Sequence, residues 1–256
     1  MILLHGVGVS GDTFFRNIDG LAQGRSVYAP DMVGHGFTDA VSFTGGPQLP
    51  TVHHMGRLAD ALGLERYSVV GSSYGALIAA LMWFDRPLRV GNLVLVGSGS
   101  CFHPAEEQRK TLRAALANAT QTMVDPTIPS CRARLAAICH DPNSVAEEIL
   151  LTQLTSYALP DRFDAYKATI AGLIDTVDSD ELRIYSRLEQ LTARTLILVG
   201  RNDVRADWQR HVEARRRMPN ARLTIFANCG HLPYMEHPAT FNEIVEAFLG
   251  GADVGE

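Results

Sequence analysis

The sequence predicts an α/β protein: a mostly parallel sheet wrapped by helices, with a helical block inserted into it. Three observations predict it. Over residues 1–100, short apolar runs alternate with stretches whose apolar positions recur at helical spacing. From residue 104 to about 190 no convincing strand pattern occurs. The alternation then resumes and continues to the last helical pattern at 238–250.

Each element follows from its own residues. "MILL" reads as a strand ending in His5-Gly6, and "RSVYAPDM" (25–32) as a strand stopped by Pro30-Asp31. "TVHHMGRLADALGL" (51–64) carries a helical stripe. "YSVVG" is a strand, "YGALIAALMWF" (74–84) a helix halted by Pro87, and "VGNLVLVG" (90–97) a strand. Continuous apolar runs of this length suit parallel strands buried on both faces. Strands alternating with helices imply a parallel sheet. After Ser98-Gly99-Ser100, the stretches 104–123, 131–140, 144–159 and 161–177 all read as helices, separated by Pro or Asp/Asn breaks. "RTLILVG" (194–200) and "ARLTIFA" (221–227) are strands, with helices at 207–218 and 238–250. The expected division is a core of residues 1–100 and 191–256 with a helical cap at 101–190. The block leaves the core at the C-terminal end of a strand, where open α/β sheets bind ligands, so it is expected to cover a site.

Composition excludes several classes. The 256 residues are 46% hydrophobic and 20% charged, with a net charge of −5 and a pI near 6.0. That balance builds no basic surface, so no nucleic-acid partner is expected. No apolar run approaches the roughly 20 residues of a membrane span, and no membrane association is expected. "MILLHG" has neither a basic region nor a full signal core, which implies a cytoplasmic protein. Cys101, Cys131, Cys139 and Cys229 are scattered without a CxxC pair and read as free thiols, although a Cys131–Cys139 bridge is conceivable. No metal site is expected: HExxH is absent, and His53 and His54 are adjacent on a helical pattern, so they do not share a face.

The chemistry starts at Gly71-Ser72-Ser73-Tyr74-Gly75, a G-x-S-x-G sequence between a strand and a helix. Such a turn must be tight, and small flanking residues let strand and helix approach. The Ser73 hydroxyl then projects above the sheet beside a helix N-terminus, whose N–H groups stabilise developing negative charge. His231 follows the last strand in a glycine-marked loop and is the candidate base; His237 reads as surface at the start of a helix. Asp203, just beyond a strand, is the candidate acid that orients His231. Its competitor Asp207 is placed to begin the next helix. In the "HGVGVSG" loop, the backbone N–H of Val7 is expected to form an oxyanion hole with that of Tyr74, while His5 holds the loop by hydrogen bonds. Cys229 ranks below Ser73 as a nucleophile.

The order Ser73, Asp203, His231 on alternating strands and helices, together with "LLHG", "APDMVGHGFTD", "LILVGRNDV" and "CGHLPYMEHPATFNEIVEAFL", resembles the α/β-hydrolase fold superfamily, in its serine-triad branch. The resemblance covers nearly the whole chain. Dehalogenases and epoxide hydrolases of this fold use an aspartate nucleophile, which Ser73 argues against. "APDMVGHGFTD" is similar to the matching segment of meta-cleavage-product hydrolases, which cleave a carbon–carbon bond in vinylogous diketones. The chain departs from that group at Val7-Gly8-Val9-Ser10-Gly11, where Ser-Gly-Pro-Gly is usual after His-Gly. It departs again at Ser72, where Asn is usual, and at Leu232, where Trp is usual; Glu236 is retained. Gly8 and Leu232 are accordingly the expected pocket residues.

The resemblance implies a serine hydrolase that cleaves a carboxylic ester through an acyl-enzyme, with no cofactor; the many Leu, Ile, Ala and Met residues of the helical block suit a small to medium, largely apolar substrate. Two alternatives stand beside it: a carbon–carbon hydrolase of a vinylogous diketone, and a non-catalytic ligand-binding member of the fold. Members of the superfamily usually carry two antiparallel strands before the strand that ends in His-Gly. Without them, "RSVYAPDM" becomes an exposed sheet edge, and bare edges invite pairing. The expectation is a homodimer through that edge, or a truncated reading frame of reduced stability. A monomer by light scattering that also melts at high temperature would contradict both.

Overall fold

The computed structural model describes residues 1–256 except Asp253 and Glu256. Five strands form one parallel sheet in the order of the sequence: β1 (Ile2–Leu4), β2 (Tyr67–Ser72), β3 (Val90–Val96), β4 (Arg194–Gly200) and β5 (Ala221–Phe226). Because all five run the same way, every strand delivers its C-terminal loop to one rim of the sheet. β1, β2 and β4 are almost wholly buried, as their unbroken apolar runs require.

The segment 25–32 does not form the strand expected from its β-forming residues. It is an extended strap with a single parallel bridge, Tyr28 to Ile2. Leu3 N donates to Tyr28 O at 2.8 Å, and Tyr28 N donates to Met1 O at 3.0 Å. Two residues on, Pro30 has no N–H to offer and pairing stops. The sheet edge at β1 is therefore covered by a short strap, not by a full strand.

Before β2 come the short helix α1 (Ile18–Leu21) and then α2 (Gln48–Ala61). The second starts three residues before its expected boundary because Pro50 fits a first helical turn, where its missing N–H costs nothing. α3 (Tyr74–Asp85) follows β2 and is apolar on nearly every side; its residues 74–82 are all buried. Between β3 and β4 the described residues contain no strand. They form α4 (Gly99–Phe102), α5 (Ala105–Val124), α6 (Ile128–Ala136), α7 (Glu147–Tyr157) and α8 (Arg162–Asp175). α6 starts before the expected 131 because Thr127 and Ser130 close a reciprocal capping box. α9 (Trp208–Arg217) lies on the surface, with only His211 and Ala214 buried and three arginines in its last turn, where the helix dipole favours cations. α10 (Pro233–Glu236) leads into α11 (Pro238–Leu249), which turns Phe241, Val245 and Phe248 inward. No described helix is long and apolar enough to cross a membrane. All four cysteines are free.

Buried histidines tie the elements together as neutral rings. His5 Nε2 accepts from Met32 N at 3.0 Å while its Nδ1 donates to Gly6 O at 2.7 Å, which binds the β1 loop to the strap, as expected for a structural His5. His211 Nε2 accepts from Ser98 N at 3.1 Å and its Nδ1 donates to Asp207 O at 2.8 Å. Burial lowers the His211 pKa to about 4. It lowers that of His35 to about 3, with neighbouring His5 adding to the shift. An unfolded histidine titrates near 6.5, so below that pH the unfolded chain takes up protons that these rings refuse. Stability should be full above about pH 6.5 and fall as pH drops toward 4, by up to ~3 kcal/mol for His211 alone. A urea midpoint that stays flat between pH 7 and 4.5 would contradict this.

Candidate active site

The rim at the strand C-termini carries the candidate catalytic residues. Ser73 sits between the last residue of β2 and the first of α3 with φ +54° and ψ −112°, in the left-handed half of backbone space that a side chain rarely enters. Its neighbours explain how. A Cβ on Gly71 would lie 2.2 Å from Gly75 O, and one on Gly75 would lie 2.3 Å from Leu4 O. The motif glycines are thus demanded by the close approach of α3 to β2 and β1. Ser73 N donates to Val96 O at 2.8 Å, and Ser98 Oγ donates to Ser73 O at 2.7 Å, so the serine backbone is held from the end of β3 as well.

Asp203 lies in the loop after β4 with its carboxylate fully buried. His231 Nδ1 donates to it, 2.8 Å from Oδ2 and 3.0 Å from Oδ1. The amides of Arg205 and Ala206 donate to Oδ1 at 2.7 and 3.0 Å. With Nδ1 committed to the acid, Nε2 is the ring nitrogen free to take a proton. The His231 loop is fastened in turn. His231 N donates to Ile138 O at 2.8 Å. Glu236 accepts from Gly230 N at 2.8 Å and from His140 N at 2.7 Å.

One cavity between the core and the helical block is lined by Ser73, Tyr74, Val7, His231 and Leu232. Tyr74 turns its ring away into the core, where its hydroxyl meets Thr51 Oγ1 at 3.1 Å, so it is the helix-terminal backbone that faces the cavity. Gly8, expected in the pocket, does not join the lining. Its carbonyl accepts from Tyr157 of α7 at 2.5 Å, and it lies beneath Tyr166 and Arg134, whose atoms a Cβ there would meet at 2.6 and 2.7 Å. The loop tip is spent on holding the helical block.

The competitors fall elsewhere. Asp207 caps α9 by accepting from Gln209 N at 2.9 Å. His237 Nε2 donates to Asn228 O at 3.0 Å. Cys229 is buried, with a thiol pKa pushed well up by burial. Among the described residues no group of three or more His, Cys, Asp or Glu could hold a metal ion. Two charged lining residues escaped the sequence reading: Arg134 on α6 and Arg205 in the Asp203 loop. Signals for both were present. Arg134 shares a helix face with buried Cys131 and Leu135, and Arg205 stands two residues past the acid.

Comparison with known proteins places this geometry. The profile of the alpha/beta hydrolase fold family matches residues 1–238. A 2-hydroxy-6-oxononadienedioate/2-hydroxy-6-oxononatrienedioate hydrolase of Paraburkholderia phymatum is 30% identical over 98% of this chain and 86% of its own length. A 2-hydroxymuconate semialdehyde hydrolase of Pseudomonas putida is 29% identical over 98% of this chain and 87% of its own. Among solved structures, a variant of the meta-cleavage product hydrolase CumD superposes with a TM-score of 0.79 at 28% identity, covering 98% of this chain and 90% of that one.

The packing at Ser73 makes a direct prediction. Gly75→Ala drives a methyl group against main-chain oxygens that no side-chain rotation relieves, and overpacking of this kind costs about 1–3 kcal/mol or more. The urea midpoint should fall accordingly; an unchanged midpoint would show that α3 is free to move away from β1.

Proposed function

Because the chain belongs to the α/β-hydrolase fold family, we propose that it hydrolyses a carbon–carbon bond in a vinylogous diketone, a product of aromatic ring meta-cleavage. The observation that carries this reading is the near full-length likeness to relatives named for hydrolases of such compounds. It supports the carbon–carbon alternative better than the ester cleavage that the sequence led us to expect. The two arginines in the cavity also speak against a largely apolar ester.

The residues divide the work as follows. His231 Nε2 takes the Ser73 proton as the serine oxygen bonds to the ketone carbon. The N–H groups of Val7 and Tyr74 face the oxygen that becomes negative. Asp203 holds the ring in the Nδ1–H tautomer and stabilises it once charged. When the tetrahedral adduct collapses, the carbon–carbon bond breaks and its electron pair delocalises into the conjugated carbonyl of the departing fragment. His231 returns its proton to that carbon. Water, deprotonated by His231, then releases the acyl group from Ser73. The helical block over the cavity keeps bulk water from the serine during the first half of the reaction.

Dienone substrates are coloured and bleach on cleavage, which makes the test direct. The wild type should bleach 2-hydroxymuconate semialdehyde and take a single fluorophosphonate adduct by intact mass. Ser73→Ala should take no adduct and lose turnover by about 10⁴-fold or more. A variant that kept half its rate would remove Ser73 from the mechanism. Labelling with turnover of nitrophenyl esters but not dienones would return the ester reading. Neither labelling nor turnover would leave a ligand-binding protein.

A further inference from the structure

The Val7 N–H belongs to the peptide that joins Gly6 to Val7, and in a trans peptide the carbonyl points the opposite way from the N–H. Gly6 O accepts from His5 Nδ1 at 2.7 Å, and the same ring is held through Nε2 by Met32 N at 3.0 Å. The carbonyl is thus drawn to the imidazole, and the Val7 N–H faces away from it. The loop lies against the nucleophile: a Cβ on Gly6 would stand 3.4 Å from Ser73 Cβ and 3.9 Å from its Oγ. Those contacts fix the near end of the loop. Its far end is the Gly8 carbonyl, two peptides on, and the helical block holds it. Tyr157, the last residue of α7, donates its hydroxyl to Gly8 O at 2.5 Å. Gly8 stands at φ +72°, and a glycine freed from that bond has a wide choice of other conformations. Val7 lies between the two fastenings.

Tyr157 is itself well held. It is only 5% exposed, and the Arg134 guanidinium lies 5.4 Å from its ring centroid. Tyr166, which covers Gly8 from α8, donates its own hydroxyl to Ala115 O of α5 at 2.9 Å. α7 also packs on the short 3-10 turn Gly11–Phe14 that follows the loop. Burial pushes the Tyr157 pKa up, so its hydroxyl keeps its proton and remains a donor. A single neutral hydrogen bond stabilises a fold only modestly, but a buried carbonyl left without a donor is costly, and a glycine loop can turn to find another. An oxyanion hole tolerates little of that, because its donors act by being aimed before the charge develops. We propose that Tyr157 is a positioning residue for the oxyanion hole: its hydroxyl fixes the Gly8 peptide, so the Val7 N–H is aimed at the developing charge only while α7 is seated on the loop. The role rests on the proposed reaction, in which Val7 serves the oxyanion, and it makes the helical block a participant in that step as well as a cover.

Tyr157→Phe removes the hydroxyl and little else. With 2-hydroxymuconate semialdehyde its kcat should fall about tenfold, less than the roughly 10²–10³-fold loss when an oxyanion donor is deleted outright. The affinity of Ser73→Ala for the same dienone, read from the absorbance of the bound compound, should not change when Tyr157→Phe is added, because the planar ketone carries no oxyanion. The pH profile of kcat should keep its shape, since Ser73, Asp203 and His231 are untouched. Phenylboronic acid gives a second readout that needs no dienone. Its boron accepts the Ser73 oxygen and becomes tetrahedral and anionic, with a boron-bound oxygen directed at the Val7 and Tyr74 amides. Its inhibition constant should rise about tenfold in Tyr157→Phe, in step with kcat. Weaker boronate binding in the variant, with no dienone cleavage by the wild type, would keep the positioning role and remove the carbon–carbon reaction. Dienone cleavage with kcat and boronate affinity unchanged in the variant would overturn the positioning role and keep the reaction. A lower melting temperature or weaker dienone binding, with kcat and boronate affinity intact, would make Tyr157 a packing residue and also overturn it. A wild type that neither cleaves the dienone nor binds the boronate would overturn both. Should Tyr157→Phe fail to fold, Tyr157→Met, whose flexible chain fills the space without a hydroxyl, decides by the same two readouts.

Discussion

Everything at the rim of the sheet depends on a backbone that would not choose its own conformation. Ser73 occupies a region of φ that costs a side-chain-bearing residue roughly 1–3 kcal/mol, and it stays there because four elements hold it. β2 brings the chain in and α3 takes it out across two glycine contacts with no room for a methyl group. The end of β3 grips the peptide on either side of the serine, through Val96 and Ser98. Ser98 is also the cap residue of α4, where the helical block begins. The position of one hydroxyl is thus set by the packing of the whole central sheet.

Parallel strand order does the rest of the assembly. Since all strands point one way, residues far apart in the chain arrive at the same rim: the Val7 loop after β1, Ser73 after β2, Asp203 after β4 and His231 after β5. The acid is fixed by loop amides and the base by the acid, so neither relies on a flexible side chain finding its place. The buried histidines His5 and His211 perform the matching task one layer down, tying loops to neighbouring segments with both ring nitrogens engaged.

The parts legible in the sequence were those governed by local pattern. Apolar runs marked β1 to β5, and turn chemistry marked Ser73. The Asp203–His231 contact was legible too, because residues placed after parallel strands converge. The segment 25–32 was misread because its β-forming side chains say nothing of whether a partner strand runs far enough alongside; here pairing ends at one bridge. Gly8 was misplaced because a glycine loop beside an oxyanion hole can face the cavity or the block above it, and only the packing of Tyr157 and Tyr166 decides. Arg134 went unmarked within the helix read at 131–140 because the direction of an isolated helix's face depends on what covers it. The apolar ester was expected from the overall composition of the helical block, whereas the cavity samples only part of that block, Arg134 included, and receives Arg205 from the loop after β4.

The fastening of the His231 loop has a consequence for how such proteins diversify. The amide of His231 rests on Ile138, and Glu236 reaches from the core to the amides of Gly230 and His140. The helical block is therefore no detachable module laid over a finished site; a turn of its backbone forms part of the seat of His231, the candidate base. A block exchanged between relatives by recombination must bring that turn in register, or the recipient inherits a new specificity together with a His231 loop that has lost its seat. Drift in substrate range is accordingly easiest at side chains such as Arg134 that face the cavity, and hardest in the main chain from 138 to 141.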